Sequence, residues 1–152
     1  VSILDIEYVV KLCKDHIDLT KSNGSEIEDY LTKFLLVYVC GEYEKEIKQM
    51  INQRVIKTGD RELSSFVSNK IDVRSLYLRD IRGNILKHFS ADVRDSFNAI
   101  ISGTESELRY HNIIENRNLA AHGEPINMTF PEFIQSYKLA GDILKAISIV
   151  LQ

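Results

Sequence analysis

The chain has 152 residues, 44% hydrophobic and 27% charged, which fits one globular domain burying about 70% of its unfolded surface and argues against a disordered or multidomain chain. With only 7 Gly and 2 Pro there are too few breakers for an all-β sandwich, so the expected class is all-α. A formal charge of −3 supplies no whole-molecule field toward nucleic acid, and any RNA contact has to come from a local patch. No apolar run reaches the ~18 residues of a membrane span. Asp5, Glu7, Lys11 and Lys14 interrupt the N-terminal apolar pattern, which argues against a signal peptide and for a cytoplasmic protein with no membrane partner. Cys13 and Cys40 lack C-x-x-C spacing and are expected as buried reduced thiols. Residues 1–152 are expected to form a single helical domain; the start at Val1 and the apolar end, Ile147 to Leu151, also fit a segment of a longer protein.

Taken in chain order, Ile3, Ile6, Val9, Val10, Cys13 and Ile17 share one face of a first helix that stops near Thr20. Ser25 with Glu28 reads as a capping box opening the longest helix, which carries Ile27, Leu31, Phe34, Leu35, Tyr38, Ile47, Met50 and Ile51 almost to Lys57. Gly41 is its weak point, and close helix packing or a kink are the two explanations for a glycine there. Thr58-Gly59-Asp60 ends this helix, and Arg61 to Lys70 forms a short one with Leu63, Phe66 and Val67. Asp72 is expected to cap a segment bearing Leu76, Leu78, Ile81, Ile85 and Leu86, and Asp92 to Ile101 supplies a further short helix. Thr104 with Glu107 is a second capping box, opening a helix through Leu108, Ile113, Ile114 and Leu119 that ends at His122-Gly123-Glu124-Pro125. Thr129 with Glu132, and Pro131 in the first turn, start a last helix running through Phe133, Tyr137, Leu144 and Leu151. The architecture is a helical bundle with additional short helices between the long ones.

The densest polar cluster is Glu115-Asn116-Arg117-Asn118-Leu119-Ala120-Ala121-His122-Gly123-Glu124, at the end of the penultimate helix. Arg117 and His122 are five residues apart, about 140° around an ideal helix, so they share a face only if the helix ends or tightens before His122. A histidine can give or take a proton near neutral pH and an arginine fork can hold a phosphate, a pairing suited to phosphodiester cleavage. The same residues also have a purely structural reading, with His122 on the helix dipole and Arg117 paired to Glu115 or Glu124.

Arg117-Asn118-Leu119-Ala120-Ala121-His122 resembles the R-x4-6-H signature of HEPN domains, in which a polar residue, often Asn, follows the Arg. Gly123-Glu124 is similar to the A-H-G-E ending of the RiboL-PSP-like branch, and Leu36 to Glu44 resembles the family's first long core helix with its internal acidic residue. Glu124 stands where many members carry a Tyr, which speaks against the branch of toxins partnered by nucleotidyltransferases. The resemblance implies a HEPN-like bundle over roughly residues 26–150 and a metal-independent endoribonuclease, often a toxin or antiviral defence effector. Its site forms where two protomers meet, with Arg117, Asn118 and His122 as the catalytic set. The chemistry supports a homodimer on its own terms. One histidine cannot both deprotonate a 2′-hydroxyl and protonate the leaving 5′-oxygen, whereas a twofold interface supplies two.

Among lower-ranked candidates, Arg74 to Arg94 is locally basic, with Arg79, Arg82, Lys87 and Arg94 around Tyr77, His88 and Phe89. It is expected either to position RNA, through Arg79 and Arg82, or to be a solvated face. His111 could line the same cleft as Arg117; His16 and His88 have no metal-site context. Glu42, Glu44 and Glu46 alternate by about 200°, a pattern of surface solvation rather than metal binding, although Glu42 or Glu44 could hold the Arg117 fork. Glu124 is a further supporting candidate. No P-loop, dinucleotide glycine pattern or nucleophile elbow occurs, and no metal or cofactor is expected. Expected partners are RNA, a second copy of the chain, and an antitoxin or fused defence protein. Two other readings compete: a catalytically silent HEPN-like module that dimerises or binds a partner or nucleotide, and a plain helical interaction domain.

Overall fold

A computed structural model of the chain describes residues 3–73 and 75–152, with Ile3 and Leu4 as backbone alone. The Ile3 side chain on the first helical face and Arg74 of the basic segment lie outside the described residues. The regular elements among the described residues are all helical. They are α1 (Ile3–Thr20), α2 (Glu26–Ile56), α3 (Arg61–Lys70), α4 (Leu78–Asp80), a π-helical turn (Ile81–Leu86), α5 (Lys87–Phe89), α6 (Ala91–Ile101), α7 (Glu105–Ala121) and α8 (Phe130–Leu151). None of them is long and apolar enough to cross a membrane.

Helices α2, α7 and α8 pack on one another and carry the core; α1 and α3 lean on α2, and α6 on α8. Leu35, Leu36, Val39, Cys40 and Ile47 of α2 are fully buried, as are Ile113 of α7 and Phe133, Ala140, Ile143 and Ile147 of α8. Each such large aliphatic side chain contributes about 1.5–3 kcal/mol by leaving water. Two tyrosines cross the centre with their rings 6.2 Å apart, Tyr43 and Tyr110. Tyr43 donates to the Tyr137 carbonyl at 3.0 Å and Tyr110 to that of Leu76 at 2.8 Å, so neither hydroxyl is stranded. Burial pushes both hydroxyls well above the usual tyrosine range.

The ends of the helices follow their caps where the pattern is complete. Thr129 and Glu132 form a full reciprocal capping box, with Pro131 in the first turn of α8. Asp60 caps α3 by accepting from the Leu63 N–H at 2.9 Å. The Ser25–Glu28 box does not form: the Ser25 hydroxyl donates to the Ser22 carbonyl, and Glu28 accepts from the Gly24 N–H at 2.7 Å. At α7, Thr104 accepts from the Glu107 N–H at 3.2 Å, but Glu107 reaches one residue further back, to the Gly103 N–H at 2.9 Å.

Other expectations are corrected by packing. Ile27 and Phe34 face outward, 48% and 50% exposed, while Leu36, Val39 and Tyr43 turn inward, because α2 is covered by α7 and α8 along a different stripe. Leu63 and Phe66 are exposed and α3 has no buried residue. Asp72 caps no helix: residues 71–73 and 75–77 are irregular, and the helical segment opens after Tyr77. At Gly41, an added Cβ would meet no atom within 4 Å and α2 runs through unbroken, so neither close packing nor an interruption explains the glycine.

Candidate active site

The last turn of α7 tightens before it stops. The His122 N–H is shared between the carbonyls of Asn118 at 3.1 Å and Leu119 at 3.2 Å. Gly123 then takes φ 71°, and the Gly123 and Glu124 N–H groups donate back to Ala120 and Leu119, a left-handed helix ending that glycine accepts without steric cost. His122 therefore caps the helix one turn beyond Asn118. Its side chain is exposed and makes no hydrogen bond or ion pair among the described residues. The loop that follows is tied down by Asn116. This buried side chain accepts from the Asn127 N–H at 2.7 Å and donates to the Asn112 carbonyl at 2.9 Å.

Arg117 is held from two sides. Its Nη2 donates to Glu44 Oε1 of α2 at 3.0 Å, and its Nη1 to Asn118 Oδ1 at 3.0 Å. The Asn118 amide in turn donates to the Tyr77 hydroxyl at 2.7 Å. Arg117 and Glu44 side chains are 27% and 23% exposed, so the guanidinium is fixed yet open to one side. Its Nε–H is buried without a partner. Cys40 lies one turn before Glu44 on α2; burial pushes its thiol up to about 12, against the pull of the nearby Arg117. A thiol in that state is inert as a nucleophile.

The remaining candidates separate. Arg117 pairs with neither Glu115 nor Glu124; Glu124 is exposed beyond the helix end. Glu42 is a correction to the solvated-face expectation. It is 6% exposed, one oxygen takes Lys45 at 2.6 Å and the other is buried without a partner. It borders a groove between α1, α2 and α8 that Tyr43 and Tyr137 also line. Arg82 is engaged within the fold: its Nε donates to Asn98 at 2.7 Å and its Nη2 to Glu107 at 2.7 Å, so the fork bridges the π-helical turn to α6 and α7. Arg79 is exposed, with its guanidinium 4.9 Å from the Tyr77 ring centre and 3.8 Å from Asp80. His111 is exposed, 3.9 Å from Glu115. Arg79, Arg82, His111 and Tyr77 do share one feature, an open cleft of about 690 Å³ between the π-helical segment and α7.

Tyr77 and Asn116 were missed in the sequence. In the sequence Tyr77 is only an aromatic within a basic stretch, and nothing in its spacing shows a bond to a residue 41 positions away. Asn116 could have been found, since a polar residue on the inward stripe of an amphipathic helix requires a partner. Among the described residues no group of three or more His, Cys, Asp or Glu side chains is placed to hold a metal ion.

No curated protein and no solved structure matches the chain. The family model RiboL-PSP-HEPN matches residues 3–152, so it spans α1 through α8 and includes both Glu44 and the helix end at His122. On that match, the all-α bundle is the helical fold of a RiboL-PSP-HEPN domain, and the chain belongs to that family.

Proposed function

We propose that the protein is a metal-independent endoribonuclease that works as a homodimer. The observation that carries this reading is the Arg117 guanidinium, clamped by Glu44 and Asn118 at 3.0 Å each, five residues before an exposed histidine that has no partner among the described residues. A cation needed for folding alone gains nothing from a free histidine at the end of the same helix.

In this mechanism one His122 removes the proton from an RNA 2′-hydroxyl, and the oxygen attacks the adjacent phosphorus. The partner's His122 protonates the departing 5′-oxygen, leaving a 2′,3′-cyclic phosphate. Arg117 stabilises the charge that builds on the non-bridging oxygens. Glu44 fixes the fork in advance, so little reorganisation is needed as that charge appears. Asn118 holds the other arm of the fork, and Glu124 supports the histidine end of the site. Arg79 contacts the RNA outside the reacting centre. A toxin or antiviral effector role, with an antitoxin or fused partner, is the biological setting that the family suggests for such an activity.

Incubating RNA with wild type, His122→Ala and Arg117→Ala, with and without EDTA, and resolving the fragments on a denaturing gel tests this. Wild type should cleave in EDTA and leave cyclic phosphate ends, and both variants should lose about 10²-fold or more of the rate. Equal activity in wild type and His122→Ala would overturn the assignment, and no activity in any sample would favour the silent binding module.

A further inference from the structure

The cleft beside the motif has a lining that selects among the parts of an RNA. Three carboxylates, Glu105, Glu107 and Glu115, border it against two arginines, Arg79 and Arg82. Arg82 is occupied by Asn98 and Glu107, which leaves Arg79 as the accessible cation. Glu107 is likewise paired with Arg82 and Glu105 with Arg109 at 3.0 Å, so Glu115 and Arg79 remain and a phosphate would meet no surplus of positive charge there. A nucleobase meets what it needs. The Arg79 guanidinium lies over the Tyr77 ring at 4.9 Å, a platform on which a further π-face can stack. Leu108, 58% exposed, supplies an apolar wall, and Glu115, whose ion-pair neighbour is His111 at 3.9 Å, offers acceptor oxygens to an exocyclic amino group.

Tyr77 belongs to both places. Its ring borders the cleft, and its hydroxyl accepts from Asn118 Nδ2 at 2.7 Å. The donor-only guanidinium turns Oδ1 of the amide toward Arg117 at 3.0 Å. The Tyr77 hydroxyl, by taking Nδ2, holds that amide in place; with the hydroxyl gone, Asn118 is free to swing away and leave one arm of the Arg117 fork unheld.

We propose that this cleft holds the base next to the cleaved phosphodiester, a base bearing an amino group stacked on the Arg79–Tyr77 pair, and that Tyr77 is the positioning residue that sets Asn118 and through it Arg117. The proposal rests on the ribonuclease reading and is tested so that the two fail separately. Fluorescent single-stranded oligo-A, oligo-C and oligo-U are titrated onto His122→Ala protein, and cleavage kinetics are measured on protein with His122 intact. Oligo-A and oligo-C should bind about fivefold or more tighter than oligo-U. Leu108→Ser should weaken their binding about tenfold without changing its salt dependence, and Glu115→Ala should erase the preference over oligo-U. Tyr77→Phe, which keeps the ring, should leave KM within about twofold and lower kcat about tenfold or more.

Equal binding of all three oligonucleotides, or full affinity in Leu108→Ser, would overturn the base subsite. Wild-type kcat in Tyr77→Phe would overturn the positioning role. If the wild type cleaves no RNA, the ribonuclease reading falls and the positioning role with it, while the binding titrations still decide what the cleft holds.

Discussion

At the scale of single residues, the polar side chains around α7 divide into those that hold the fold and those left open to a ligand. Arg82 and Glu107 are of the first kind. The Arg82 hydrogen bond holds the Glu107 carboxyl below its usual range, with burial opposing and the Gly103 N–H assisting. A carboxyl whose pKa is depressed on folding stabilises the protein above the unfolded value, near pH 4.5, and loses that contribution as pH falls through the folded value. Arg82→Gln should therefore cost about 1–2 kcal/mol near neutral pH, and thermal melts should show its gap from wild type narrowing once the pH drops below about 4.5. A gap that stays constant from pH 7 to pH 3 would show that the bridge does not control this carboxyl. By the same geometry Arg82 is a poor choice for probing RNA contacts, and Arg79 is the side chain to neutralise.

Among the elements, α2 has to be buried by two helices along most of its length and still present Glu44 to α7. Gly41 sits between these duties with no steric reason for lacking a side chain. A glycine inside a helix costs about 0.5–1 kcal/mol relative to alanine, so Gly41→Ala should stabilise by that amount and raise the melting midpoint by about 1–4 °C. A drop in calorimetric midpoint would show that the backbone there needs its freedom. The elements are also where the sequence was most legible. Helix boundaries depend on groups within four residues of one another, and the Thr104 and Thr129 caps sit where their spacing put them. Ser25 failed because the same hydroxyl could satisfy the Ser22 carbonyl instead. Which stripe of α2 faces inward depended on partners far along the chain, so Ile27 and Phe34 were misread. The candidate site divides in the same way. The motif is local and readable; Glu44, 73 residues from Arg117, was one of two glutamates that spacing left open, and the Tyr77 bond was invisible before the chain folded.

For the whole molecule, the stoichiometry of proton transfer asks for two copies of His122 around one phosphate. The protein should sediment as a dimer at tens of micromolar, with its interface along the end of α7. The exposed α2 stripe of Ile27, Tyr30, Phe34 and Val37 provides the control: Phe34→Asp should leave the dimer intact. A monomer in wild type would count against the shared site, and dissociation by Phe34→Asp would move the interface to α2.

The Asn116 side chain that receives the Asn127 N–H has a consequence for measurement. That amide belongs to no helical ladder, so its hydrogen exchange does not wait for α7 or α8 to unwind. Its exchange rate reports the opening of the segment from His122 to Thr129 by itself. Followed by amide-resolved NMR, it gives a clock for how often the histidine end of the site comes loose while the rest of the bundle stays closed.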